Sequence, residues 1–203
     1  MNIMRKKLLE ALPISRSPLL IRKCERLDMD MLAAWPAYPH PYCSFTFSFA
    51  NFGTTKIDLL FCDRESREDR IALVIDNLSA KAIGYIALIE IDWELRESGN
   101  MTVRVHPEWC GKGIGGAMLE TVRDWWFCNG MKRLCLDVAS SNIRAIRCYE
   151  KVGFTRFGEF WREDAGLKSV DFADPKWRFL DGHIRFGLGV PEVRFLLMEL
   201  RTS

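Results

Sequence analysis

Residues 103–122 read VRVHPEWCGKGIGGAMLETV, and this stretch decides how the rest of the chain is read. It passes from a β-branched run, through four glycines within residues 111–116, into an amphipathic helical pattern. Glycine lacks Cβ, so backbone N–H groups can converge on a ligand and φ can turn positive. A loop of this kind running into a helix adds the helix's unsatisfied N–H groups and partial positive charge. The pattern predicts an anion site, phosphate above all. Without a ligand the same residues make a tight strand-to-helix turn.

The choice of phosphate follows from the spacing. A nucleoside-triphosphate loop needs a hydroxyl residue after its lysine, and Lys112 is followed by Gly113. A dinucleotide fingerprint is met literally by Gly111, Gly113 and Gly116, with Asp137 placed 21 residues beyond Gly116 as a ribose-binding acid. Against it, His106 to Cys110 separate the strand from the first glycine, and a hairpin leads in where a βαβ unit should stand.

Outward from the loop, RIALVIDNLSAKAIGYIALIEID predicts a hairpin, MTVRVH a third strand, and the helix after the loop runs from about Gly115 to Asn129, closed by Gly130. KRLCLDVA is a buried strand, SSNIRAIRCYEKVGF a helix ending at Gly153, and TRFGEFW and VRFLLMEL are the last strands, with a polar, Gly-rich stretch between them. Nearer the N-terminus a strand leads into a helix that Asp28 or Asp30 would N-cap, with Met29, Leu32, Ala33 and Trp35 on one side. Prolines 36, 39 and 41 exclude regular structure next, and Phe45, Phe47 and Phe49 then alternate with small residues as in a half-buried, core-facing strand. The fold class is α/β (α+β), a mixed, mostly antiparallel sheet flanked by helices, in a single domain over 1–203.

Residues 82–154 resemble the GNAT superfamily of acetyl-CoA-dependent N-acetyltransferases. Two blocks carry the resemblance. The family hallmark, Gln/Arg-x-x-Gly-x-Gly/Ala at the mouth of a helix, falls on Cys110 to Gly115, with Cys110 in the place of Gln or Arg. About thirty residues later DVASSNIRAIRCYEKVGF resembles the second block, Asn142 followed by Tyr149 and then Gly153-Phe154. The pattern is nearest to the ribosomal-protein N-terminal acetyltransferase branch.

The resemblance implies acetyl-CoA as cofactor and direct acetyl transfer to a primary amine in a ternary complex. Backbone of Cys110, Gly111, Lys112, Gly113, Ile114, Gly115 and Gly116 would hold the pyrophosphate. Val103, Arg104 and Val105 would pair with the amide-rich pantetheine arm, or serve simply as sheet core. Tyr149 would protonate the leaving thiolate, since a phenol near pKa ~10 matches a thiolate of similar basicity. Asn142 would bond the cofactor, N-cap its helix, or do both. For the base, Asp137 stands where that branch carries Glu, and Glu90, Asp92 and Glu94 on the earlier strands are alternatives. Trp35, Tyr38 and Tyr42 are candidates for an acceptor pocket. A covalent cysteine route is disfavoured, because Cys110 and Cys148 have no recognisable base among His40, His106 and His183; His106 reads as structural. Two other functions stay open: a catalytically degenerate CoA-binding sensor, and an NAD(P)-binding oxidoreductase domain.

Composition narrows the setting. The 203 residues are 48% hydrophobic and 28% charged, enough to bury a core. A net charge of +2 points away from nucleic acid and membrane as partners. The partner expected is an amine acceptor of unread identity, and a homodimer is admitted. Seven cysteines, with no C-x-x-C, fit free thiols in the cytoplasm and no metal site. The N-terminal apolar stretch is too short for a signal sequence or a membrane span.

Overall fold

The computed structural model describes residues 2–45, 49–50, 52–187 and 189–202. A helix α1 (Ile3–Glu10) precedes strands β1 (Ile14–Arg16) and β2 (Leu19–Lys23), then helices α2 (Arg26–Ala33) and α3 (Thr54–Ser66). There follow β3 (Ile71–Asn77), β4 (Gly84–Asp92), β5 (Glu97–Val105), α4 (Ile114–Cys128), β6 (Arg133–Ala139) and α5 (Ile143–Val152). β7 (Thr155–Glu163), β8 (Ile184–Phe186) and β9 (Pro191–Arg201) close the chain. Among the described residues nine strands form one sheet in the order β1-β2-β3-β4-β5-β6-β9-β7, with β8 also on β9. Each pairing is antiparallel except β5 with β6.

Side chains alternate across the sheet and so feed two cores. Ile86 and Leu88 of β4 join Leu73 and Ile75 on one face, where α4 contributes Met118, Val122 and Trp126, α5 contributes Ile146, and α1 contributes Leu8. Tyr85 and Ala87 join Val74 on the other face, beneath Met29 and Leu32 of α2 and Ile57 of α3. The helix α4 forms because its apolar residues recur at helical spacing, and it ends at Asn129 and Gly130, the latter at φ 86°.

Two expectations near the N-terminus are corrected. Neither Asp28 nor Asp30 caps α2: Glu25 stands at the N-cap, and Asp28, three residues on, accepts its backbone N–H at 2.7 Å. Asp28 is drawn there because Arg22 holds the same carboxylate at 2.6 and 2.7 Å. Phe45 ends a 3-10 turn, Tyr42–Phe45, rather than lying in a strand. Phe49 is core, at 2% exposure, and Phe47 lies outside the described residues. Among the described residues no helix is long and apolar enough to cross a membrane.

Arg22 also bonds Asp76 of β3 at 2.9 Å, and Asp76 accepts the Ala82 N–H at 2.8 Å, which ties the β3–β4 hairpin to β2. Burial opposes the Asp76 charge, but the Arg22 bond, the Ala82 N–H and the charges of Arg22 and Lys81 prevail and hold its pKa below the ordinary value. A lowered folded pKa stabilises above the unfolded value and is lost as pH falls through the folded one. Removing one partner of a buried pair costs about 3–5 kcal/mol. Asp76→Ala is therefore expected near the low end of that range, because Arg22 retains Asp28. In urea unfolding the gap from the parent should be constant above about pH 5 and shrink below about pH 4.

Candidate functional site

β5 and β6 pair only at Glu97↔Arg133 and Ser98↔Leu134 and then part. The junction is clamped. Arg133 reaches Glu199 at 2.7 Å and Glu97 at 3.1 Å, and Arg201 reaches Glu199 at 3.1 Å. Beyond it β6 pairs with β9 alone, which leaves one edge of β5 without a strand. The opening holds a cleft of about 550 Å³, lined by β5, the end of β6, the glycine loop and the start of α5.

The phase of the β4–β5 ladder decides what that free edge offers. The His106 N–H bonds the Ile83 carbonyl at 2.8 Å, so Arg104 and Thr102 turn their backbone groups toward β4. Val103 and Val105 turn theirs into the cleft. One of these acceptors is taken, because the Tyr38 hydroxyl donates to the Val105 carbonyl at 2.6 Å. Arg104 therefore contributes a side chain rather than edge hydrogen bonds. Its guanidinium lies 4.7 Å from the Phe49 ring, and burial lowers its pKa to about 10.

The glycine loop closes the mouth of the cleft. Gly111 and Gly113 take φ of +76° and +80°, and α4 begins at Ile114. Among the described residues, the N–H groups of residues 111–116 have no hydrogen-bond partner; the first intrahelical bond here is Ala117 N–H to Gly113 O at 3.1 Å. A Cβ at Gly111, Gly113 or Gly116 would meet nothing within 4 Å, whereas at Gly115 it would meet Cys148 Sγ at 3.5 Å. The loop is open toward the cleft and packed behind it, with Ile114 buried in the core. Lys112 is exposed, 5.0 Å from the Trp109 ring, and does not line the cleft. Six N–H groups without a partner at the start of a 15-residue helix are an arrangement suited to an anion.

Tyr149 lines the same cleft from α5. Its hydroxyl has no hydrogen-bond partner among the described residues. Burial, with the neighbouring Cys148 and Asp137, pushes the phenol above its ordinary pKa, so it stays protonated. Asn142 caps α5 by accepting the Ala145 N–H at 3.3 Å and also lines the cleft, so its two expected positions coincide. Asp137 lies on the β6 wall, where Asn100 donates to one oxygen at 2.7 Å and Arg162 to the other at 3.2 Å.

Other candidates lie elsewhere. Glu90, Asp92 and Glu94 are exposed at the far end of the β4–β5 hairpin and do not line the cleft; Asp92 accepts the N–H groups of Glu94 and Leu95 in the turn. Trp35 packs edge-on against His106 and donates to the Ala82 carbonyl at 3.0 Å, a structural position. Tyr42 sits under the Arg144 guanidinium at 3.6 Å and does not itself line the cleft. Asn100, Arg144 and Arg162 line the cleft and carry no local sequence signal, since each is an ordinary polar residue in its own element. The spacer before Gly111 is a 3-10 turn, Pro107–Trp109, capped by the His106 side chain, which accepts the Glu108 N–H at 3.2 Å. That spacer and the antiparallel sheet remove the dinucleotide reading.

Comparison with known proteins agrees with this geometry. A family model described as Acetyltransferase (GNAT) family matches residues 32–154. A spermidine N(1)-acetyltransferase of Vibrio cholerae is 29% identical over 91 residues, 44% of this chain and 52% of that protein. A ribosomal protein bS18-alanine N-acetyltransferase of Salmonella typhimurium is 30% identical over 129 residues, 62% of this chain and 74% of that protein. The crystal structure of spermidine N-acetyltransferase from Vibrio cholerae with CoA and spermine shares the fold, with a TM-score of 0.67 at 20% identity over 92% of this chain and 96% of that one. The chain spans 28% of a Methanocaldococcus jannaschii relative and 52% of the Vibrio spermidine enzyme.

The two thiols in the cleft are poor nucleophiles. Burial raises the pKa of Cys110 and of Cys148, outweighing Arg144 beside the first and Lys151 beside the second. At pH 7 iodoacetamide is expected to modify the exposed Cys43, Cys62 and Cys128 before either cleft thiol, read by peptide mass spectrometry.

Proposed function

The chain belongs to the GNAT acetyltransferase family, and from that membership we propose an acetyl-CoA-dependent N-acetyltransferase that acts on a primary amine. The observation that carries this reading is the meeting of three features in one cleft: six free N–H groups at a helix start, a free strand edge and a buried, protonated Tyr149. Bound there, acetyl-CoA supplies an acetyl thioester that an amine can take directly.

The N–H groups of residues 111–116 hold the pyrophosphate. The outward N–H and carbonyl of Val103 and the N–H of Val105 pair with the pantetheine amides as a strand would, the Val105 carbonyl being held by Tyr38. Asn142 adds its side chain while capping α5. Tyr149 donates its proton to the departing thiolate sulfur. Asp137 receives the ammonium proton, directly or through water, from the position where Asn100 and Arg162 fix it. All seven cysteines are unpaired, which supports a reducing compartment, the cytoplasm. The 203 residues act as one unit in this reading, because a single sheet runs from Ile14 to Arg201.

Two variants test the assignment. Gly113→Leu forces a side chain onto φ +80°, at a cost of about 1–3 kcal/mol, into the space reserved for the anion. Calorimetry should show CoA affinity falling at least tenfold, with no comparable binding of NAD or NADP to the parent. Tyr149→Phe keeps the cleft's shape and should lower kcat by about 10²–10⁴ with CoA affinity retained. Unchanged turnover would remove Tyr149 as the acid. Tight CoA binding with no turnover of any amine by the parent would identify a sensor.

A further inference from the structure

We propose that the acceptor is a primary amine bearing one apolar arm, and that the arm enters a side pocket built by the C-terminal segment. This rests on the acetyl-transfer reading above and deepens it.

The pocket has a volume of about 170 Å³, and Phe45, Ala139, Leu167, Leu180, Val193 and Phe195 wall it. Phe45, Ala139, Phe195 and Arg162 line the main cleft as well, so the two spaces adjoin at the end of β6, beside Asp137. Polar groups stand at the rim. Asp164 accepts the Gly166 N–H at 2.9 Å, Glu163 is exposed, and Arg162 lies flat on Phe195 at 3.7 Å. An arm passing Arg162 meets carbon.

The walls are set before any ligand arrives. His40 Nε2 lies 2.8 Å from the Lys176 carbonyl, and its ring packs edge-on against Trp177 and Phe179. The Pro-rich segment is thereby joined to residues 175–180. Phe45 packs edge-on against Phe179, and Phe195 stacks on Phe160. From the other side, Ser140 Oγ lies 2.7 Å from His183 Nδ1, which fixes the segment to the end of β6. Preformed walls spend little binding energy on ordering.

Asp137 is the one carboxylate among the described residues lining the main cleft, and a single ammonium can face it there.

The chemistry is shared by free alkylamines and by peptide N-termini with an apolar first residue, and the test separates them. CoA release from acetyl-CoA is measured with 2-phenylethylamine against ethylamine, with Phe-Gly-Gly against Gly-Gly-Gly, and with spermidine. In at least one pair kcat/KM should favour the arm by about tenfold or more, the scale on which apolar pockets discriminate; the pair that responds names the source. Ser44→Trp, on the partly exposed rim of the side pocket, should lower that ratio severalfold. Ratios near one in both pairs, spermidine as the best acceptor, or a ratio untouched by Ser44→Trp would overturn the pocket. Calorimetric titration of the same amines into the CoA-bound protein reads the preference without turnover. A tenfold preference there, with no acetylation, would overturn the transfer reading and leave the pocket standing; equal affinities would overturn the pocket.

Discussion

The parting of β5 from β6 is the constraint on which the rest of the molecule depends. Two parallel strands joined through a helix would normally pair along their length and bury both edges. Here pairing stops after two residue pairs, and the Arg133, Glu97, Glu199 and Arg201 side chains lock the junction. β9 pairs with the opposite edge of β6 along residues 133–139, so the edge that β5 leaves stays open. From this follow the strand-free edge of Val103 and Val105, of which Tyr38 takes only the Val105 carbonyl, the volume between the strands, and the place of the glycine loop at its mouth. A backbone edge buried without partners would be costly, so an opening of this kind calls for a ligand rich in amides or for water.

Within the opening, burial sets the protonation states. It keeps Tyr149 a phenol, keeps the Cys110 and Cys148 thiols protonated, and brings Arg104 down to about 10, still a cation at neutral pH. Desolvation thus makes the Tyr149 phenol reluctant to ionise. Asp137 is fixed on the β6 wall by Asn100 and Arg162. The same burial disposes of the cysteines as nucleophiles.

Much of this was legible one segment at a time. The hairpin, the helix from the glycine loop to Asn129, the strand at residues 133–139 and the Asn142-to-Gly153 helix each follow from a local period and a cap. Where the chain lacked a period it was not read. α3 buries only Ile57 fully, with Leu60 and Phe61 partly buried beside it, an apolar stripe too short to mark residues 54–66 as a helix by period alone. The N-cap of α2 was misread because Arg22 and the Glu25 N–H both claim Asp28, a contact across the turn that spacing does not reveal. Glu90, Asp92 and Glu94 were reasonable bases by strand position, but position along a strand does not tell which end opens on the cleft.

By itself the sequence determined the local devices: glycines that permit positive φ, a helix N-terminus beyond them, an Asn cap and a Tyr one helical face away. These depend on residues within a few positions of one another, so their physics is local. The tertiary structure alone decided which edge of β5 stays open, which acid faces it, and that Phe45, Leu167, Leu180, Val193 and Phe195 meet around a second pocket. Those are contacts between residues as much as 150 positions apart, as Phe45 and Phe195 are at the cleft. They arise from strand order and from two loops packing together, and neither leaves a periodic mark on the chain.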